Sequence, residues 1–161
     1  MRTVLYAFLC LAFLLQPASA NDLLGWQQTR WGMTEAQAAA AVTDATRVSP
    51  PEKYSGMYAP MKARMEVSGS EVEVMLQFSY KTKTLSQVLL KPRFGGLETW
   101  AKFRDLLTSR YGASTQVGKK REWKFKTTVV ELSHLQIPGV IDQVSIRYFP
   151  TANYRDDKQK L

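Results

Sequence analysis

The stretch Met61–Tyr80, MKARMEVSGSEVEVMLQFSY, decides the fold. Met61, Ala63, Met65 and Val67 alternate with Lys62, Arg64, Glu66 and Ser68. Val72, Val74, Leu76, Phe78 and Tyr80 then alternate with Glu71, Glu73, Met75, Gln77 and Ser79. A period of two marks strands buried on one face. Gly69-Ser70 suits a two-residue type II′ turn. That turn predicts Val67 opposite Val72 and Met65 opposite Val74, so the apolar faces coincide. The same register sets Glu66 opposite Glu73, a mildly unfavourable pair of like charges that Arg64 is placed to bridge.

Downstream, Leu85–Lys91 reads as a third strand after the polar turn 81–84, and Pro92–Gly96 breaks it. Leu97, Trp100, Phe103 and Leu107 then recur at helical spacing, with Gly112 after Tyr111 as a natural C-terminal cap. Arg121, Trp123 and Phe125 share one face of a further strand. Val130, Leu132 and His134 continue it if Thr127-Thr128 is the turn. Val144, Ile146 and Tyr148 form the last strand, and Thr151–Leu161 is a charged tail.

Upstream, Trp26–Met33 reads as an extended lead-in. Thr34 and Gln37 have the spacing of a capping box at the start of an alanine-rich helix that ends weakly at Thr43-Asp44. Thr46–Ser49 has the length of a brief strand. Pro50, Pro51, Gly56 and Pro60 argue against a central strand or helix over 50–60. This segment reads as a loop carrying Tyr54, Met57 and Tyr58.

The expected fold class is therefore α+β, with two helices packed on an antiparallel sheet and a pseudo-duplicated unit of helix plus three strands. Residues 26–92 and 96–150 would be the two repeats of one domain spanning 21–152, with 153–161 as the tail.

The first twenty residues set the compartment. Arg2 supplies a positive start, Val4–Leu15 a short apolar run, and Ala18-Ser19-Ala20 a cleavage signal before Asn21. The apolar run is shorter than the roughly 20 residues that span a bilayer. The expectation is export to the periplasm with cleavage after Ala20. The only cysteine, Cys10, would leave with that leader, which takes disulfides, thiol catalysis and cysteine-based zinc sites with it.

The chain of 161 residues carries a net charge of +8. Loss of Arg2 leaves 21 basic side chains against 14 acidic, or +7. Such a balance steers acidic partners toward the chain or simply keeps it soluble. In an envelope those partners are acidic protein surfaces, glycans or anionic lipids, the last by peripheral contact. Nucleic acid belongs to another compartment.

Catalytic chemistry has little to stand on. His134 is the only histidine, and Ser133 beside it points to the opposite face of its strand. Zinc would need mostly carboxylates, which suit it poorly. Glu66 and Glu73 are the nearest pair for glycoside hydrolysis, but opposed strand positions lie closer than that mechanism needs. No phosphate loop, dinucleotide-binding pattern or calcium loop occurs, so no cofactor is expected.

Two clusters are candidates for partner binding. Lys119, Lys120, Lys124 and Lys126 form the densest run of charge, serving either as an anion-binding patch or as a solvated edge that resists aggregation. Tyr54, Met57 and Tyr58 are either interface anchors or rings folded back over the core.

Trp31-Gly32-Met33-Thr34 leading into a helix, a second helix ending Tyr111-Gly112, and strands carrying Trp123 resemble a widespread class of uncharacterised exported bacterial proteins with a WGM[ST] start. The resemblance covers most of the chain after the leader. It implies a fold similar to the tandem α+β repeat of β-lactamase inhibitor proteins, or to small outer-membrane assembly lipoproteins, whose anchor cysteine this chain lacks. The expected role is a non-enzymatic binding module of the periplasm, a protein inhibitor or an envelope accessory factor. The alternative is a cell-wall hydrolase using carboxylates.

Overall fold

The computed structural model describes residues 22–152. The proposed leader and the tail from 153 lie outside them. Two helices, α1 (Glu35–Ala41) and α2 (Gly96–Tyr111), accompany eight strands. The strands are β1 (Thr46–Tyr54), β2 (Met57–Val67), β3 (Ser70–Ser79), β4 (Leu85–Pro92), β5 (Thr115–Val117), β6 (Lys120–Lys124), β7 (Thr128–Ile137) and β8 (Ile141–Pro150). All eight join one antiparallel sheet in the order β1-β2-β3-β4-β8-β7-β6-β5. The α+β class stands, but the duplicated unit of helix plus three strands does not. The chain is strand-rich, with one eight-stranded sheet under two helices of very different length.

The extra strands come from two places. The segment 50–60 is a hairpin rather than a loop, with Tyr54 opposite Met57. Pro50 and Pro51 fall where the β1–β2 register shifts, between Arg47 and Glu52, and β1 is a sheet edge. Pro60 sits in a second register shift, between Tyr58 and Met61. Proline is tolerated at such places because no ladder hydrogen bond is lost. Strand β5 is three exposed residues with no apolar period to announce it.

The β2–β3 hairpin forms, two positions out of the expected register. Val67 faces Ser70, Met65 faces Val72, and Glu66 faces Glu71 rather than Glu73. Ser68 and Gly69, both at positive φ, make the turn in place of Gly69-Ser70. Two consecutive positive φ values are the type I′ geometry, which matches strand twist. At the other end, Thr128 opens β7 instead of belonging to a turn.

One sheet face is covered. Met61, Val72, Val74, Leu76, Phe78, Val88, Leu90, Trp123, Val130, Leu132, Val144, Ile146 and Tyr148 pack there with Ala38 of α1 and Phe103 and Leu107 of α2. Thr34 caps α1 in the capping box its spacing predicted, with Gln37. Leu97, expected in the apolar stripe of α2, is instead 69% exposed in the first turn of the helix, directly after Gly95 and Gly96, which meet Asp142 of β8. Trp26–Met33 is a turn segment, not an extended strand. Its Gly32 N–H donates to Leu85 O (3.1 Å) and the Leu85 N–H to Met33 O (2.8 Å). Trp31 is buried, and its Nε1 donates to Thr128 Oγ1 at 2.8 Å.

Candidate functional site

Among the described residues, neither α1 nor α2 lies over the other face of the sheet. Its middle is a row that crosses every strand: Thr46, Lys62, Met75, Leu89, Arg147, Glu131, Glu122 and Thr115 are successive register partners. Met75, Leu89 and Ala59 form a small second apolar cluster on it, with Tyr54 packed against them. Charges flank that cluster. Lys62 Nζ lies 3.1 Å from Glu52 and 3.3 Å from Glu73. Glu131 is 4% exposed, yet it is ionically satisfied: Arg147 binds its Oε1 through Nε and Nη2, and Lys120 Nζ lies 3.2 Å from its Oε2. Burial of a carboxylate is tolerated only with such partners.

Two cavities of about 680 Å³ open on this face, one on either side of its middle. The first lies where β4 and β8 part. It is lined by Arg64, Glu71, Glu73, Lys91 and Arg93 on one side and by Val140–Gln143 on the other. The second is lined by Trp31, Met57, Gln87, Arg147 and Phe149, among others. Gln87 Nε2 there donates to Oε1 of the buried Gln77 at 2.6 Å.

The sequence candidates are dispersed by this geometry. Tyr54 and Tyr58 point to opposite faces, and both hydroxyls are engaged. Tyr54 donates to Glu52 Oε2 and Tyr58 to Glu35 Oε1, each at 2.8 Å. Tyr58 also stacks near Phe78 and Tyr80. Met57 lines the second cavity. The four lysines are spread over β6 and the turns at its two ends. Lys120 is held by Glu131, Lys124 pairs with Glu122 at 3.1 Å, and Lys119 and Lys126 lie in the turns at opposite ends of β6. Lys124 and Lys126 border a smaller cavity of about 320 Å³ beside Asp22 and Tyr111.

The carboxylate pair Glu66 and Glu73 is likewise split. Arg64, not Glu66, opposes Glu73, whose carboxylate turns to Lys62. Arg64 bridges neither glutamate, and Glu71, opposite Glu66, pairs with Arg93 at 2.9 Å. His134 Nε2 lies 2.7 Å from Asp142 Oδ1, and that oxygen also accepts the Gly96 N–H at 2.7 Å. The bond from His134 comes first among the causes that hold the Asp142 carboxyl below its ordinary range, and the Gly96 N–H adds to it. The trio ties β7, β8 and the start of α2 together, which is a structural role. Among the described residues, no group of three or more His, Cys, Asp or Glu is arranged to hold a metal ion.

Arg64, Lys91, Arg147 and Gln87 were not among the sequence candidates. The alternation that assigns them to the uncovered face was legible. Their neighbours depended on a register and a strand order that were not. No protein-family model, no curated protein and no solved structure matches the chain.

Proposed function

We propose that this chain is a non-enzymatic binding module of the periplasm, a protein inhibitor or an envelope accessory factor, and that the uncovered sheet face is its working surface. One observation carries the reading. Both described helices lie on one side, and the other presents an ordered row from Lys62 to Glu122 with a concavity on either side of its middle. Fixed charges beside small apolar contacts favour recognition of another protein, with the charges setting selectivity and encounter rate. The leader pattern at Arg2–Ala20 supports export, and no helix among the described residues is long and apolar enough to cross a membrane.

The test uses the form beginning at Asn21, which has no cysteine. It is immobilised, exposed to an envelope fraction at low salt, and its partner is identified by mass and rebound in purified form. A bulky thiol label at Gln87→Cys, on the uncovered face, should block rebinding. The same label at Leu97→Cys, on α2, should not. The reverse pattern, no retained protein, or release of soluble fragments from peptidoglycan by the purified chain would overturn the proposal.

A further inference from the structure

The second cavity differs from the first in the charge of its walls. The first sets Arg64, Lys91 and Arg93 against Glu71, Glu73 and Asp142, so its charges are matched. The second is lined by two cations, Lys81 and Arg147, and among the described residues no Asp or Glu shares that lining. Trp31, Met57 and Phe149 are among its apolar walls, and Gln87 and Ser86 among its neutral polar ones. Its volume of about 680 Å³ lies in the range of roughly 300–1,000 Å³ that small-molecule sites occupy.

Both cations are placed by the fold. Arg147 donates through Nε and Nη2 to Oε1 of the buried Glu131. That contact fixes the plane of the guanidinium and leaves Nη1 without a hydrogen-bond partner among the described residues. Glu131 also serves Lys120, and Glu122 opposite it is taken by Lys124. Three cations thus meet two carboxylates, and one positive charge is left over. Lys81 sits in the β3–β4 turn, where Ser79 Oγ accepts its N–H at 3.1 Å and that of Thr82 at 3.4 Å. The Lys81 ammonium makes no ion pair among the described residues. Gln87 is held by its bond to the buried Gln77, and the Phe149 ring centroid lies 6.0 Å from the Arg147 guanidinium. A site ordered before its ligand arrives binds at lower entropic cost.

We infer that this cavity binds an amphipathic anion, a single acidic head on an apolar tail, with the head between Arg147 and Lys81 and the tail against Met57 and Phe149. Arginine and lysine only donate hydrogen bonds, so they match a head that only accepts them, a carboxylate or a phosphate. A neutral sugar needs strong acceptors as well as donors, and the lining holds no carboxylate to supply them. A free inorganic anion would leave Trp31, Met57 and Phe149 unused. The inference goes beyond the binding-module reading and needs no protein partner.

The probe is octanoate below its micelle concentration, titrated into the form beginning at Asn21 by calorimetry, with the methionine methyl groups followed by NMR. Octanoate should bind about tenfold more tightly, or better, than either acetate or octanol, because head and tail are both used. Binding should weaken with salt. The Met57 methyl should shift, and that of Met65, packed on the covered face, should not. K81Q/T82E changes two exposed positions of one turn and should weaken octanoate about fivefold or more while leaving octanol unchanged. R147K keeps a cation on Glu131 but loses the fork, and it should weaken octanoate as well. The turn variant carries the test if R147K fails to fold. Octyl phosphate separates the sources of the head: tighter binding than octanoate points to a phosphate monoester of lipid origin, weaker binding to a free fatty acid, and either supports the inference. Octanol or acetate binding as tightly as octanoate, an unmoved Met57 methyl, or indifference of octanoate to K81Q/T82E overturns it. Failure to capture an envelope protein removes the binding-module reading and leaves this one standing.

Discussion

Tyr54 and Tyr58 show how far a side chain's role depends on its surroundings. Read from the sequence they are loop rings. In the fold, one covers Met75 and Leu89 and the other sits between α1 and the sheet. Burial first, and a hydrogen bond to a glutamate second, push each phenol up to about 12. An unfolded tyrosine ionises near pH 10. A raised pKa means the folded state holds its proton where the unfolded state has lost it. The stabilisation is therefore complete below about pH 10 and is lost as pH rises from there through about 12. Melting temperatures measured from pH 9 upward should fall steeply above pH 10 for wild type and less steeply for the variant Tyr54→Phe, Tyr58→Phe. Glu52 keeps Lys62 and Glu35 keeps Arg47 in that variant, so neither carboxylate is stranded. Identical slopes would refute the assignment.

Among the elements, the junction of α2 with β8 is the tightest. A Cβ on Gly95 would stand 1.8 Å from the Asp142 carbonyl oxygen, and backbone on both sides prevents relief. Gly139, in the β7–β8 turn, has a φ of 71° and nothing within 4 Å. Gly95→Ala should therefore cost at least about 2 kcal/mol by displacing α2. Gly139→Ala should cost only about 1 kcal/mol, from its left-handed backbone alone. Urea denaturation of both variants separates the cases, and equal losses would mean α2 is not docked through Gly95. Elements with one wet and one dry face, such as Met61–Val67 and Val144–Tyr148, were legible because their burial alternates, whereas Val74–Phe78 of β3 is buried on both faces. The β1–β2 hairpin was not, since prolines that exclude a central strand are harmless at an edge and at bulges. Register failed at a single turn, where Ser68 takes a positive φ that any sequence rule assigns to glycine first. Glu66, Glu73 and Arg64 were then matched to the wrong neighbours. The cavity lined by Arg64, Lys91 and Val140–Gln143 also needed β4 beside β8, a pairing some sixty residues apart that no local pattern encodes.

At the scale of the whole molecule, the seam between β4 and β8 is short, so other contacts must hold the two sides of the sheet together. The N-terminal segment supplies them. Gly32 and Met33 bond the start of β4. Trp31 reaches Thr128, Asp22 Oδ1 accepts the Thr127 N–H, and Leu23 O accepts both threonine hydroxyls at the start of β7. One buried cluster runs without interruption from Ala38 and Met61 through Val88 and Leu90 to Ile146 and Tyr148. Cutting the chain before α2 would strip Phe103, Leu107 and the whole of β8 from that cluster. It would also leave the Trp31 Nε1 and the Leu23 carbonyl without their partners, and buried polar groups so orphaned cost about 1–3 kcal/mol each. A fragment of residues 22–94 should therefore show no cooperative thermal transition and poor amide dispersion. The form beginning at Asn21 should melt in one step, with tryptophan fluorescence and far-ultraviolet dichroism superimposing. A sharp, reversible melt of the fragment alone would show instead that β1–β4 and α1 fold independently, and that the seam merely joins two finished parts.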